Sequence, residues 1–256
     1  MSSDQYLRNV LSTYQVNPNL AEQYKYFFEP YIREWAKDFL VDLKVSGSIR
    51  KGTAVSNGTD VDLFISLSST TNETLGEIYN LLFDYLQGKG FSVRKQNVSI
   101  GVNYNSEQID LVPAKRQSQY GNDHSLYVSK KNTWTKTNIE THISKVSNSG
   151  RLEEIKLTKI WRNNNNLDFP SFYLELLVID ALSNFRRGDL ANNFWQVLNF
   201  IAVNIKSKVY MDPSNTNNCI SDQIPLTTKE GANKRGNSSR LTQSFHFFSL
   251  SRSFLP

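Results

Sequence analysis

Two aspartates, Asp60 and Asp62, stand at the head of an apolar run, Leu63-Phe64-Ile65. Residues two apart on a strand share a face, so both carboxylates would project together while their neighbours pack into the core. Carboxylates this close repel each other, and a divalent cation between them removes that cost. Mg²⁺ suits such a position because it takes hard oxygen ligands and is usually shared with substrate phosphates. The pair therefore predicts a magnesium site.

A Gly-Ser pair, Gly47-Ser48, and a loop rich in glycine and threonine, residues 52–59, precede the two aspartates. Glycine lets backbone N–H groups approach a polyphosphate closely, and the Ser48 hydroxyl can donate a hydrogen bond to it. Alone, a Gly-Ser pair is commonly a turn and an Asp-x-Asp pair is commonly solvated. In this order, running into an apolar strand, the motifs favour nucleotidyl transfer.

The same stretch resembles the signature of the polymerase-beta-like nucleotidyltransferase superfamily, in which Gly-Ser is followed along the chain by Asp-x-Asp. The resemblance implies that the two aspartates hold the catalytic metals and that a third carboxylate on a neighbouring strand completes the site. Asp110, within residues 103–114, is the candidate, because Ile109 and Leu111 would face the core. We expect Pro113 to end that strand, since proline cannot donate to a strand ladder.

The predicted fold class is α+β, a polymerase-beta-like nucleotidyltransferase lobe with a mixed sheet and helices plus a helical second lobe. The catalytic lobe is predicted over 1–130, with a helix over 19–40 that kinks or restarts at Pro30. The helical lobe, which would complete the nucleotide cleft, is predicted over 131–230. Residues 231–256 are rich in serine and carry no acidic residue, so we expect a divergent or disordered tail.

Lys156 and Lys159 lie three apart on a predicted amphipathic helix, and the next helix is predicted to begin near Pro170-Ser171. This region resembles a narrower group, the oligoadenylate-synthetase-like and cyclic-GMP-AMP-synthase-like enzymes, including the bacterial DncV-like cyclic-oligonucleotide synthases. Members pair a lysine-bearing helix with a Ser-Tyr start of the next helix. The resemblance implies that Lys159, with Lys156 as the alternative, and Ser171 contact the donor triphosphate. Phe172 falls where tyrosine is usual and would stack on the donor base, and Tyr173 would supply any hydroxyl contact.

The predicted activity joins ribonucleoside triphosphates (ATP, GTP, UTP or CTP) into a cyclic di- or oligonucleotide and releases pyrophosphate. We expect two Mg²⁺ ions, replaceable by Mn²⁺, on Asp60, Asp62 and Asp110. Asp110 is the expected proton acceptor, and Gly47 with Ser48 would position the β and γ phosphates. The resemblance implies bacterial antiphage signalling, with a product-sensing effector protein and neighbouring regulators as partners.

Three alternatives stay open from the sequence. A CCA-adding-type enzyme acting on RNA shares the three motifs around the aspartates. An antibiotic or protein nucleotidyltransferase shares the catalytic lobe. A catalytically inactive nucleotide-binding relative would keep the fold without the chemistry.

Composition limits the other classes of protein. The chain of 256 residues has a formal net charge of +5, a mild excess that suits anionic small molecules better than an extended nucleic-acid duplex. Cys219 is the single cysteine, so an internal disulfide is excluded and a reducing compartment is favoured. A polar start and the lack of a long apolar run favour a cytoplasmic enzyme without a membrane partner. His124, His142 and His246 have no zinc-site spacing.

Overall fold

The computed structural model describes residues 1–242 and divides into two compact units. The sheet unit comprises Asn17–Lys51 and Thr59–Ser144. The helical unit comprises Met1–Val16, Gly52–Gly58 and the described residues from Lys145 onward. This division differs from the predicted boundary at residue 130, because the N-terminal helix and the loop 52–58 pack with the later helices.

The described residues form nine α-helices and nine strands. The helices are α1 (Ser3–Thr13), α2 (Leu20–Ala36), α3 (Gly47–Lys51), α4 (Leu75–Gly88), α5 (Ile139–Ser147), α6 (Leu152–Asn164), α7 (Ser171–Ala181), α8 (Leu190–Asn204) and α9 (Leu226–Thr242). The strands are β1 (Leu40–Val45), β2 (Val61–Leu67), β3 (Ser92–Lys95), β4 (Ile100–Tyr104), β5 (Glu107–Arg116), β6 (His124–Val128), β7 (Thr133–Thr137), β8 (Met211–Asp212) and β9 (Asn215–Cys219). Within the described chain, no helix is both long and apolar enough to cross a bilayer.

The sheet unit is built around the parallel pair β2 and β5. Strand order is β1-β2-β5-β4-β3, with β6 pairing β5 and β7 pairing β6, and the β2–β5 pair is the parallel one in this mixed sheet. Val61, Leu63 and Ile65 are fully buried in one core with apolar residues of α2 and α4. Because strand side chains alternate, Asp62 lies on the opposite face of the sheet from these two helices.

The strand β5 continues through Pro113 to Arg116, so the prediction that Pro113 ends the strand is wrong. Pairing of β5 with β4 stops at Leu111, and pairing with β6 begins at Ala114. Pro113 therefore lies at the gap between two neighbouring strands, where a residue without an N–H group interrupts no ladder on that side.

The helix α2 runs through Pro30 as one helix and ends at Ala36, short of the predicted end at residue 40. Pro30 removes the N–H group that would bond the carbonyl of Tyr26 one turn earlier. Both residues are exposed, so water can satisfy that carbonyl. The expected restart of the helix at Pro30 does not occur for this reason.

The β6–β7 hairpin carries a buried histidine. His124 Nδ1 donates to the Asn122 carbonyl at 2.8 Å, so its Nε2 accepts from Ser66 Oγ at 2.8 Å. Arg116 Nε also donates to Ser66 Oγ, at 3.2 Å. Burial lowers the pKa of His124. This histidine is a satisfied core residue of the sheet unit.

The helical unit has its own core, formed mainly by α6, α7 and α8. The loop 52–58 belongs to this unit because its side chains are held there. Val55 is buried in the core, and the Ser56 N–H donates to the Tyr14 carbonyl at 3.0 Å. Asn163 Nδ2 donates to Asn57 Oδ1 at 3.1 Å, which ties the loop to the end of α6.

The expectation of a divergent or disordered tail over 231–256 is corrected in part, because residues 231–242 belong to the helix α9. Ala232 is fully buried, and a Cβ added at Gly236 would lie 3.0 Å from the Ala202 side chain of α8. Small residues therefore let α9 approach α8 closely, and this packing stabilises a helix whose own sequence favours helix weakly. The remaining part of the predicted tail, 243–256, lies outside the described residues.

Candidate active site

Asp62 and Asp110 lie side by side in the sheet unit. They are direct partners in the parallel register of β2 and β5. Val61 and Leu63, on either side of Asp62, are fully buried, as are the residues that flank Asp110. Partnered residues of neighbouring strands share a face of the sheet, so the two carboxylates emerge together. The structure thus brings Asp62 and Asp110 together on neighbouring strands.

Asp60 directly precedes β2 and lies at the surface. Desolvation raises the pKa of Asp110, and the negative charge of Asp60 raises it further. Desolvation also raises the pKa of Asp60, while the Arg94 guanidinium acts in the opposite direction on both carboxyls. Asp60 and Asp110 are thus close enough to interact electrostatically, and the Arg94 guanidinium partly offsets the negative charge of this pair.

Gly47 allows the Asp62 carboxylate to lie against the turn between β1 and α3. Gly47 has φ +61°, and a Cβ added there would lie 1.7 Å from Asp62 Oδ2. The Ser46 N–H donates to the Asp62 carbonyl at 2.8 Å, which fixes the turn to β2. Only glycine fits this position, both for its backbone conformation and for the space. Ser48, the next residue, is half-buried at the start of α3.

The carboxylate of Asp110 has two donors that the sequence did not reveal. Gln96 Nε2 donates to Asp110 Oδ1 at 2.7 Å, and Ser99 Oγ lies 3.4 Å from Oδ2. Both donors lie in the turn between β3 and β4. Polar residues are ordinary in turns, so this contact has no sequence signal of its own.

The fit of a divalent cation follows from the carboxylates themselves. Among the described residues, no three His, Cys, Asp or Glu side chains are grouped closely enough to hold a metal ion together. Mg²⁺ does not require such a cage, because it is commonly bound through one or two carboxylates and completed by water and substrate phosphates. Asp62 and Asp110, adjacent and with Asp60 adding charge nearby, fit that mode of binding.

Lys159 was expected to contact the donor triphosphate, but its side chain is buried inside the helical unit. Its Nζ lies 2.7 Å from Glu175 Oε1 and 3.0 Å from Thr53 Oγ1. Thr53 Oγ1 donates to the same Glu175 oxygen at 2.6 Å. These contacts join loop 52–58, α6 and α7 within the helical unit. Lys156, three residues earlier on the same helix, is half-buried.

The start of α7 presents Ser171 and Phe172, both half-buried. Ser171 Oγ accepts from Arg162 Nη1 at 3.1 Å, so Arg162 is a neighbour that the sequence did not single out. Tyr173 is fully buried, and its ring lies 5.3 Å from that of Tyr210. Burial raises the pKa of Tyr173 to about 12. The structure therefore places Tyr173 in the core and leaves the Phe172 ring nearer the surface.

An open cavity of about 550 Å³ lies in the helical unit at the junction of α6 and α7. Arg162, Asn163, Asn166 and Ser171 contribute polar groups to its lining. Two residues of the asparagine run 163–166 thus line a cavity next to Ser171.

No family model matches the sequence, and no curated protein matches it. The CD-NTase CdnG of Bradyrhizobium diazoefficiens, solved in complex with GTP, is similar with a TM-score of 0.79 and 14% identity, over 99% of this chain and 94% of that chain. The CdnE cyclic dinucleotide synthase of Elizabethkingia meningoseptica, solved with GTP and Apcpp, has a TM-score of 0.69 and 18% identity, over 96% of this chain and 100% of that one.

A third structure, CdnC of E. coli MS115-1 with ATP, has a TM-score of 0.67 and 18% identity, over 90% of this chain and 86% of that chain. Identities this low carry the fold alone. The mixed sheet and the helices of the described chain match these neighbours over nearly their full length. The predicted α+β, polymerase-beta-like nucleotidyltransferase fold is therefore confirmed, and the chain has the fold of the bacterial CD-NTases.

Proposed function

We propose that this protein is a nucleotidyltransferase that joins ribonucleoside triphosphates into a cyclic di- or oligonucleotide with release of pyrophosphate. The observation that carries the proposal is the adjacency of Asp62 and Asp110 on parallel strands, with Asp60 beside them. The fold supports the reaction class, because the neighbours include a cyclic dinucleotide synthase solved with GTP and a nucleotide analogue.

Asp62 and Asp110, with Asp60, would hold Mg²⁺, or Mn²⁺ in its place. Such ions supply Lewis-acid polarisation of phosphoryl oxygens and neutralise negative charge on the triphosphate. Asp110 would accept the proton of the attacking hydroxyl at Oδ2, because Oδ1 already accepts the short bond from Gln96. A pKa raised by burial and by Asp60 makes Asp110 a stronger base than a solvated carboxylate.

Nucleotide binding is assigned to both units. In the sheet unit, Gly47 keeps the turn clear of side-chain atoms, and Ser48 would donate to a phosphate. In the helical unit, Ser171 and Phe172 remain the proposed contacts for phosphate and base. Lys156 becomes the stronger candidate for a phosphate-binding lysine, because the Lys159 ammonium is committed to Glu175 and Thr53.

The proposed setting is antiphage signalling. A cyclic nucleotide signal requires a receptor, so the proposal includes a product-sensing effector protein and regulators of synthesis. A CdnC neighbour was solved as a complex with HORMA-deltaN, which supports the idea that proteins of this fold have protein partners.

A product assay tests the proposal. Purified protein is incubated with all four α-labelled ribonucleoside triphosphates and Mg²⁺ or Mn²⁺, and the products are treated with phosphatase and identified by mass. We expect phosphatase-resistant label and released pyrophosphate. The variant Asp60→Asn with Asp62→Asn should lose both by at least about a hundredfold and keep its unfolding midpoint, since loss of a catalytic group typically costs factors of this size or more.

A matched control carries the same change of charge elsewhere in the sheet unit, Asp42→Asn with Asp84→Asn, at two exposed positions. This control should retain wild-type turnover. Label that appears only when tRNA is added would instead support an RNA-directed enzyme. Nucleotide binding without any pyrophosphate release would support an inactive relative.

A further inference from the structure

The Asp110 carboxylate accepts a short hydrogen bond from Gln96, a residue to which the proposed reaction gives no role. A carboxylate rotates easily about its last torsion, because the barrier of such a terminal bond is low and its distribution is broad. Gln96 Nε2 holds Asp110 Oδ1 at 2.7 Å, and this bond selects one orientation. Among the residues that the structure describes, the second oxygen, Oδ2, has only the longer contact of 3.4 Å with Ser99 Oγ.

Gln96 is itself held at both ends. Its carbonyl accepts from Tyr79 Oη and from Ser129 Oγ, each at 2.6 Å. Its side-chain Oε1 accepts from Ser99 Oγ at 3.1 Å, which fixes which end of the amide faces Asp110. Since Ser99 has one hydroxyl proton to share between Gln96 and Asp110, Gln96 is the principal donor to the carboxylate.

Gly101 provides the space through which the Gln96 amide reaches Asp110. Gly101, on β4, is the register partner of Asp110 on one side and of Arg94 on the other. A Cβ added at Gly101 would lie 2.5 Å from Gln96 Nε2 and 3.0 Å from Arg94 Nε. A side chain at this position would therefore displace the Gln96 amide from its present place beside Asp110.

We propose that Gln96 is a positioning residue that orients the Asp110 carboxylate so that Oδ2 is presented to a divalent cation and to substrate. The inference rests on the proposed function for its consequence in turnover, and on geometry alone for its consequence in metal binding. Hydrogen-bond partners of ligating carboxylates commonly change metal affinity strongly, because they fix the ligand before the metal arrives.

The test compares two glutamines of the sheet unit that are both half-buried and both donate through Nε2. Gln96→Leu removes the donor to Asp110, whereas Gln108→Leu removes a donor to the Val102 carbonyl at 3.3 Å. Mn²⁺ binding is measured on the nucleotide-free full chain by the electron paramagnetic resonance signal of free Mn²⁺. Turnover is measured separately, with kcat and KM for the triphosphates.

We expect Gln96→Leu to weaken Mn²⁺ binding by about tenfold or more, the usual range for the loss of such a partner. In the same variant kcat should fall by a similar factor while KM for triphosphate stays within about twofold, because the nucleotide contacts are untouched. Gln108→Leu should match the wild type in both measurements. Urea unfolding of both variants shows whether a loss of fold contributes.

A second variant covers a failure of Gln96→Leu to fold. Gly101→Ala keeps the amide but places a Cβ in its path, so the same loss of Mn²⁺ affinity is expected. Equal Mn²⁺ affinity in wild type and in a folded Gln96→Leu would overturn the proposal, as would equal losses in the two glutamine variants or a wild type that binds no Mn²⁺. A wild type that binds Mn²⁺ more tightly than Gln96→Leu but makes no product would sustain this inference and refute the proposed function.

Discussion

Replacing Lys159 distinguishes a structural lysine from a substrate ligand. The resemblance to known enzymes assigned this residue to the triphosphate, whereas the structure buries its ammonium against Glu175 and Thr53. The two assignments predict different losses when Lys159→Met is made. Loss of a structural ion pair lowers the free energy of unfolding, whereas loss of a substrate contact raises KM for the triphosphate.

The size of the loss follows from burial. The side chains of Lys159 and Glu175 are 2% and 0% exposed, so solvent screens their interaction little. Removing one partner of a buried pair costs about 3–5 kcal/mol, chiefly because a charge stays behind in the core. Thr53 Oγ1 still donates to Glu175 at 2.6 Å after the change, so we expect the lower end, about 3 kcal/mol.

The double variant Lys159→Met with Glu175→Leu removes both charges at once. The uncompensated carboxylate is then gone, and the remaining cost is the unsatisfied Thr53 hydroxyl, about 1 kcal/mol. We therefore expect the double variant to be more stable than the single one. A substrate-binding role gives no reason for this recovery.

Urea unfolding of the full chain, followed by tryptophan fluorescence, measures these differences. Trp161 and Trp195 lie in the helical unit and report on it. With a slope of about 2 kcal/mol per molar urea, a loss of 3 kcal/mol lowers the midpoint by about 1.5 M. Lys156→Met is the matched control on the same helix and should shift the midpoint by less than about 0.3 M, because this half-buried lysine leaves no buried charge behind when it is removed.

An unchanged midpoint in Lys159→Met would refute the reasoning, especially with a large rise in KM for triphosphate. That result would mean that the lysine leaves its buried position to bind substrate. A double variant no more stable than the single one would also count against the account, because the penalty would then not come from the abandoned charge on Glu175.

Two further predictions concern stability. Gly236→Leu should lower the free energy of unfolding by about 1–3 kcal/mol, because the new side chain meets α8 at Ala202. Lys234→Leu, at an exposed position of the same helix, should leave the free energy of unfolding unchanged, and urea unfolding measures both variants. The lowered pKa of His124 means that the unfolded state binds more protons near pH 6, so His124 contributes stability at neutral pH that is lost as pH falls toward 5. Asp60 and Asp110, with raised pKa values, act in the opposite sense, so the test is the difference between wild type and His124→Gln across pH 5–7, where equal slopes would contradict the prediction.

The strands that carry Asp62 and Asp110 could be predicted because their sequence signals are local. Asp62 and Asp110 each sit between apolar residues, and alternation along a strand then dictates which face each carboxylate takes. The fold followed from the order of these motifs, and the solved neighbours confirm it. The parallel register of β2 and β5 adds only the fact that the two aspartates are direct partners.

The helical unit was harder because burial of α6 is set by its surroundings. Thr158, Lys159 and Arg162 are all buried, so α6 is surrounded on several sides and is not a surface helix with one apolar stripe. From sequence, a lysine on a helix is normally solvated, and the acid that neutralises Lys159 lies sixteen residues away on another helix. The prediction of a tail from residue 231 was wrong for a different reason. Small residues such as Ala232 and Gly236 pack α9 against its neighbours, and they leave no large apolar pattern in the sequence.

Two glycines of the candidate site each leave space for a polar side chain. Gly47 lies under the carboxylate of Asp62, and Gly101 lies under the amide that holds Asp110. Glycine inside a strand weakens it and is retained where another group must approach the backbone. Gln96 itself could not be found from sequence, because its role depends on strand register. Gly101, however, can be found if the strand register is predicted, because it then lies beside the candidate carboxylate Asp110. A glycine in that position indicates that a polar side chain approaches the carboxylate there, so the polar residues of the adjoining turn are the ones to test.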